Sequence, residues 1–274
     1  MRMLSALLVA ALCLGGCQSL GHSGGSAAPS GDARLNQILE SGRLRVAVSA
    51  DRPPLNLKSK TGEVVGFEID LVRALATAMG LELDLVVVPF AELIPSLTSG
   101  HADLALSGLT MTPERNAHVA FAGPYFVSGM SVLTHEGALG NAQDPRALDV
   151  PQRRYAAVEA STSARFIAEV LPQATFVSVP DYDTGIQMVI DGKVDALFAD
   201  YLALSVAVWR HPNAGLETLD TPFTIEPFGI AVPPDAPLLL NLVENYLETL
   251  ETTGLLATFK ARWLADGSWL SVLP

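Results

Sequence analysis

Cysteine is scarce in this sequence. Cys13 and Cys17 are the only two in 274 residues, and both lie within the first seventeen, so the bulk of the chain has no disulfide and no thiol chemistry. Basic residues are also few: 17 Lys and Arg stand against 29 Asp and Glu, a net charge of −12. No basic cluster is present to neutralise a phosphate backbone, which excludes a nucleic-acid partner. The five histidines (His22, His101, His118, His135, His211) are scattered without metal-ligand spacing, so no metal site is expected. There is no Gly-x-Ser-x-Gly elbow, no Walker loop and no dinucleotide fingerprint, and no cofactor is expected. Beyond the first residues no stretch is long and apolar enough to span a bilayer. What is present is ordinary for a globular chain: 49% apolar and 17% charged residues, with a length comfortable for two lobes.

The N-terminus carries a message of its own. Met1-Arg2 is a short positive start, and Leu4 to Leu14 is an apolar run too short to cross a membrane as a mature helix. Leu14-Gly15-Gly16-Cys17 resembles the lipobox of bacterial lipoproteins, where the Cys is lipidated and becomes the first mature residue. The expectation is a signal peptide over 1–16 and a flexible Gly/Ser-rich tether over 17–32. Removal of 1–16 takes away Arg2 and no acid, which moves the net charge from −12 to −13.

Strand-like and helix-like runs then alternate. Leu44–Val48 reads as a strand. Phe67–Met79 reads as a helix with Phe67, Leu71, Leu75 and Ala78 on one face and Gly80 as its stop. Leu81–Val88 has the look of a buried parallel strand, Ala91–Ser99 of a helix and Ala102–Leu106 of a strand, and Thr112 opens a further helix with Pro113 at its first position. The pattern restarts with strands at Arg154–Val158, Thr175–Val179 and Val194–Ala199, and helices at Ser161–Leu171 and Thr184–Ile190. Helices at Leu238–Leu250 and Leu255–Leu264 follow. This predicts two α/β units with mostly parallel sheets. Crossings between them are expected near Leu133–Glu136 and Pro222–Phe228. Lobe 1 then comprises 33–134 plus 225–274, and lobe 2 comprises 135–224. A ligand belongs in the gap between the two sheets, at their strand C-termini.

Two charged residues stand out. Arg115 falls in the first turn after Thr112-Pro113, where free N–H groups and a guanidinium make a carboxylate-sized anion site; a surface Arg paired to Glu114 or another acid is an equal alternative. Asp200 follows a buried-looking strand and precedes an apolar helix at Tyr201. It reads either as a helix cap or as a carboxylate facing the cleft that could hold an ammonium. Together the two would suit a zwitterion.

Several motifs in order carry a resemblance: Leu44-Arg45-Val46, Gly66-Phe67-Glu68-Ile69-Asp70-Leu71, Leu93-Ile94-Pro95-Ser96-Leu97, Leu109 through Arg115, Gly123-Pro124-Tyr125-Phe126 and Asp191 through Ala196. The chain resembles the family 3 extracellular solute-binding proteins of polar amino acid ABC transporters, over about Leu35 to Leu264. The resemblance implies a type II periplasmic-binding fold, two lobes joined by two hinge crossings. It implies a monomer on the outer side of a bacterial membrane, held by lipid and partnered by an ABC-transporter permease. By the same resemblance Arg115 grips an α-carboxylate, helped by Thr110, by backbone groups of Ser107 and Gly108 and by the helix start Ser161-Thr162. Asp200 takes the α-ammonium, and Phe90 packs on the ligand. An amino acid or closely related solute is therefore expected.

Two positions depart from the pattern: Arg52 stands where the family often has an aromatic, and Ser49 near where it often has an Asp. Arg52 either reaches an acidic ligand side chain or points to solvent at the cleft mouth. The chain also resembles secreted cyclohexadienyl dehydratases, notably in Ile38-Leu39-Glu40-Ser41-Gly42 and Gly254-Leu255-Leu256. Those enzymes look to carry a Glu acid where this chain has Ala164, and a methyl group cannot protonate a leaving group. No catalytic residue is therefore expected. A ligand sensor acting through a partner is a further alternative.

Overall fold

The structure, a computed structural model, describes residues 30–135, 137–140, 144–219, 221–265 and 267–273. The signal-peptide and lipobox readings, Cys17 included, lie outside the described residues. A first helix, Ser30–Ser41, begins within the last residues read as tether.

Two five-stranded sheets share one plan. In the first, Glu82–Val87, Arg43–Val48 and Leu104–Ala105 run parallel, and Glu226–Val232 and Ala120–Ser128 add two antiparallel neighbours. In the second, Thr175–Val179, Arg154–Val158 and Ala196–Asp200 run parallel, followed by antiparallel Met130–Thr134 and Glu217–Thr218. Helices cover the faces of both sheets, as parallel connections require. A small antiparallel sheet of Asp51–Arg52, Asn56–Lys58 and Val64–Val65 stands beside the first.

Local signals set most helix ends. Phe67–Met79 forms as predicted and buries Phe67, Ile69, Leu71, Val72, Leu75 and Ala76, with Gly80 at φ 70° as its left-handed stop; Ala78, expected on the same face, is exposed. Each of those large side chains stabilises the fold by about 1.5–3 kcal/mol. Asp181 and Asp200 cap the helices Tyr182–Ile190 and Tyr201–Arg210. Thr112 does cap a helix with Pro113 at its start, but Pro113–Asn116 is a single turn.

Two sequence expectations are corrected. Glu82–Val87 lies at an edge of its sheet rather than buried at the centre, and Val87 is 54% exposed. Its continuous apolar run does not distinguish a covered edge from a centre. The first crossing falls at Gly129, not near Leu133–Glu136, because Met130–Thr134 pairs with Ala196–Asp200 in the second sheet. The apolar run of 120–134 is two strands of different sheets, and only the pairing reveals the break.

The two crossings touch. Met130 N donates to Thr224 Oγ1 at 3.0 Å, and Phe223 N donates to Met130 O at 2.8 Å. A Cβ on Gly129 would lie 2.2 Å from the Thr224 carbonyl oxygen. We expect Gly129→Ala to force the crossings apart and cost about 1–3 kcal/mol. Urea unfolding checks this; a neutral substitution would show that the crossings yield freely.

One apolar cluster lies beneath the first sheet and another beneath the second. A third runs through both lobes: Phe90, Leu109 and Phe121 of the first pack with Val158, Tyr182 and Ala203 of the second. The two lobes are therefore closed on each other.

Candidate ligand-binding site

The sequence-predicted site residues fall into two groups: Arg52, Phe90, Ser107, Gly108 and Asp200 meet in one buried cluster, with Ser49 bonded to Ser107, while Thr110, Arg115, Ser161 and Thr162 line open clefts, Arg115 reaching the same Phe90 ring. Arg52 comes from the small sheet, and Phe90 from the turn after the edge strand. Ser49 follows Arg43–Val48, and Ser107, Gly108 and Thr110 follow Leu104–Ala105. The second lobe supplies Ser161 and Thr162 at the start of Thr162–Val170, and Asp200 at the start of Tyr201–Arg210.

Arg52 does not point to solvent: it is 5% exposed. Its Nη1 donates to the carbonyl oxygens of Ser107 and Gly108, the latter at 2.8 Å, and its Nη2 donates to the Tyr182 hydroxyl. The guanidinium carbon lies 4.9 Å from the Phe90 ring centroid and 4.8 Å from that of Tyr182. Nε is 3.4 Å from Asp200 Oδ2. The guanidinium thus spans both lobes. What carried it inward is charge: a buried carboxylate in the opposite lobe requires a counter-charge.

Asp200 caps its helix, the first of its two sequence readings. Its Oδ1 caps the helix by accepting from Ala203 N at 3.1 Å. Its Oδ2 is buried against Arg52 Nε at 3.4 Å and accepts no hydrogen bond from the described residues.

Arg115 reaches across the lobes as well. Nη1 donates to Thr110 O at 2.9 Å and Nη2 to Ala160 O at 3.2 Å, and the guanidinium lies 5.6 Å from the Phe90 centroid. Burial, followed by the Arg52 charge, pulls its pKa down to about 10, so it remains a cation at neutral pH. Glu114, the alternative partner, pairs instead with Arg165 of the second lobe at 2.7 Å, an exposed link on the rim.

Sequence reasoning missed Glu226 and Tyr182. Glu226, 7% exposed, accepts from Thr110 Oγ1 and Thr162 Oγ1, each at 3.0 Å, so one carboxylate joins the two lobes. Burial first, then the Asp200 charge, pushes its carboxyl above the usual range, against the two threonine hydroxyls. The only signal was an acid at an expected crossing. Tyr182 sits beside a helix cap at a strand C-terminus, the same placement that singled out Asp200.

Around Thr110, Thr162, Arg165 and Glu226 opens a cleft of ≈ 290 Å³. A second, of ≈ 310 Å³, is lined by Arg115, Ala160, Ser161 and Thr162. Among the described residues no cluster of His, Cys, Asp or Glu could hold a metal ion.

The sequence profile of the bacterial extracellular solute-binding proteins, family 3, matches residues 44–266. This chain belongs to that family. Among its relatives, cyclohexadienyl dehydratase of Pseudomonas aeruginosa is 28% identical over 233 residues, 85% of this chain and 87% of the relative. The ABC transporter arginine-binding protein 1 of Escherichia coli is 28% identical over 224 residues, 81% and 90% of the two chains. A solved ancestral amino acid-binding protein, a precursor of cyclohexadienyl dehydratase, superposes with a TM-score of 0.76 at 31% identity, covering 84% of this chain and 98% of that one.

The loop that carries the cleft of this family 3 protein is held from below. Glu68 is fully buried and accepts from Gly108 N at 2.7 Å, from Asn56 Nδ2 at 2.5 Å and from the Tyr125 hydroxyl. Burial pushes its carboxyl up, and the three donors oppose that. Ser49 N and Oγ bond Ser107 Oγ at 2.8 and 3.1 Å, which fixes the other side of the loop.

Proposed function

We propose that this chain is an extracytoplasmic solute-binding lipoprotein that closes around a small α-amino acid and presents it to an ABC-transporter permease. One observation carries the reading: the buried Asp200 Oδ2 lies 3.4 Å from Arg52 Nε yet accepts no hydrogen bond from the described residues, and the Arg115 cation shares the Phe90 ring with Arg52. A buried acceptor left unmade costs about 1–3 kcal/mol, which a ligand ammonium would recover. Arg115 then takes the α-carboxylate. Thr110 and Thr162 are the hydroxyls that assist it once Glu226 yields them. Membership of the family and the binding proteins among its relatives support this. Cys17 is the proposed lipidation site, and the monomer the proposed form.

The reading is of a binder and not an enzyme. At Ala164, where the dehydratases look to carry an acid, the side chain is a methyl group and the backbone N–H is spent on the Ser161 cap. A second reading rests on Glu226, a buried carboxyl with a raised pKa inside the cleft and so a candidate acid for a dehydratase-like reaction. Thermal melts of residues 18–274 against all common amino acids and a cyclohexadienyl carboxylate separate the two. A ligand at 100 times its Kd adds about 2.7 kcal/mol, a shift of about 5–11 °C. A shift with an amino acid supports the binder. Turnover of the cyclohexadienyl acid, abolished in Glu226→Gln, would replace it with the enzyme.

Glu226 also gives a pH prediction. It faces Arg52 and Asp200 as well as the two threonines. Its pKa is raised, so its neutral form is favoured as pH falls, and a neutral Glu226 no longer repels a ligand carboxylate. Ligand affinity should therefore rise as pH falls through that pKa, by at most about tenfold per pH unit. Glu226→Gln should hold the low-pH affinity throughout. Calorimetry from pH 5 to 8 checks this, and equal slopes for the two proteins would remove Glu226 from the binding step.

A further inference from the structure

We propose that Arg52 is the specificity-determining residue of the cleft: a tethered cation that fills, from within the chain, the slot a positively charged ligand side chain would otherwise take. The inference rests on the amino acid reading above and names the solutes it excludes.

The slot has the composition of a cation receptor. The faces of Phe90 and Tyr182 lie 4.9 and 4.8 Å from the guanidinium carbon, and ring faces attract positive charge. Asp200 supplies the counter-charge 3.4 Å from Nε, with both partners 5% exposed or less. The Ser107 and Gly108 carbonyl oxygens and the Tyr182 hydroxyl supply acceptors in a fork that matches a guanidinium. Gly108 is part of the fit: a Cβ there would lie 2.5 Å from Arg52 Nη1. None of these contacts requires the guanidinium to be attached to the chain.

Attachment decides the competition. Arg52 lies in the strand Asp51–Arg52, fixed by its pairing with Asn56–Lys58. A side chain held this way competes at an effective concentration in the millimolar range or above. A free cation at micromolar concentration cannot displace it. The slot already holds a cation, so the cleft accepts α-amino acids with neutral or acidic side chains and rejects arginine- and lysine-like ones.

The test uses the full chain in detergent, wild type and Arg52→Ala, with two probes: guanidinium ion at a few millimolar and L-arginine. Arg52→Ala should bind L-arginine at least about tenfold more tightly than wild type, and guanidinium should raise the melting temperature of the variant alone. Arg52→Lys keeps the cation and should ignore both probes. If Arg52→Ala folds poorly, either probe should restore its folded fraction. Guanidinium uptake by Arg52→Ala, with no α-amino acid bound by either protein, would keep the slot and discard the amino acid reading. Indifference of Arg52→Ala to both probes, or equal arginine affinity in wild type and variant, would overturn the inference.

Discussion

Replacing Arg115 with alanine is expected to weaken amino acid binding by about 10²- to 5 × 10³-fold, the 3–5 kcal/mol typical of removing one partner from a buried charge pair. Its fork is set in place by two neutral main-chain acceptors, Thr110 O in the first lobe and Ala160 O in the second. Those bonds orient the cation without neutralising it. Their loss should cost only about 0.5–1.5 kcal/mol of folding stability each. Affinity and melting temperature therefore separate: binding by calorimetry should collapse while the unliganded melt moves by a few degrees. Arg115→Lys should recover part of the affinity, because it restores the charge but not the planar fork. Unchanged affinity in Arg115→Ala would remove this residue from the site.

Glu68→Ala should produce the largest loss of stability. The carboxylate is fully buried and serves Gly108 N, Asn56 and Tyr125 together. Without it three donors lose their acceptor at about 1–3 kcal/mol each, a drop of about 6 °C or more in melting temperature. The pH dependence has a definite sign. Burial raises the folded-state pKa of Glu68 above its ordinary value of 4.5. Its contribution is then fully present below that ordinary value and lost as pH rises through the raised one. Glu68→Gln removes this titration. Urea unfolding at several pH values should show wild type losing stability with rising pH more steeply than Glu68→Gln. Coincident profiles would show that Glu68 does not titrate in this window.

Local chemistry made much of this molecule legible in the sequence. The helix Phe67–Met79 was readable to the residue, because its apolar period and Gly80 are contiguous signals. Arg154–Val158 and Thr175–Val179 were readable for the same reason. Asp200 was placed at a strand end and helix start by its immediate neighbours alone, and the structure puts it there. Arg52, Phe90, Ser107, Gly108 and Asp200 come together in one buried cluster, although they are spread over about 150 residues of sequence. The antiparallel strands Ala120–Ser128 and Glu226–Val232 were less legible: they pair with each other across more than ninety residues, and each is interrupted by glycine or proline.

By itself, then, the sequence determined two α/β units in tandem, their helix caps, a cleft at the strand ends and opposite charges available to it. The rest was decided by contacts between residues remote in the chain. Arg52 and Tyr182 are 130 residues apart, and Thr110 and Glu226 are 116 apart. The inward turn of Arg52 and the carboxylate of Glu226 between two threonines depend on the lobes being closed, and the crossing at Gly129 on strand pairing within the second sheet. Packing brings those groups out of water together, and a buried charge settles where its counter-charge is, not where its sequence neighbours point.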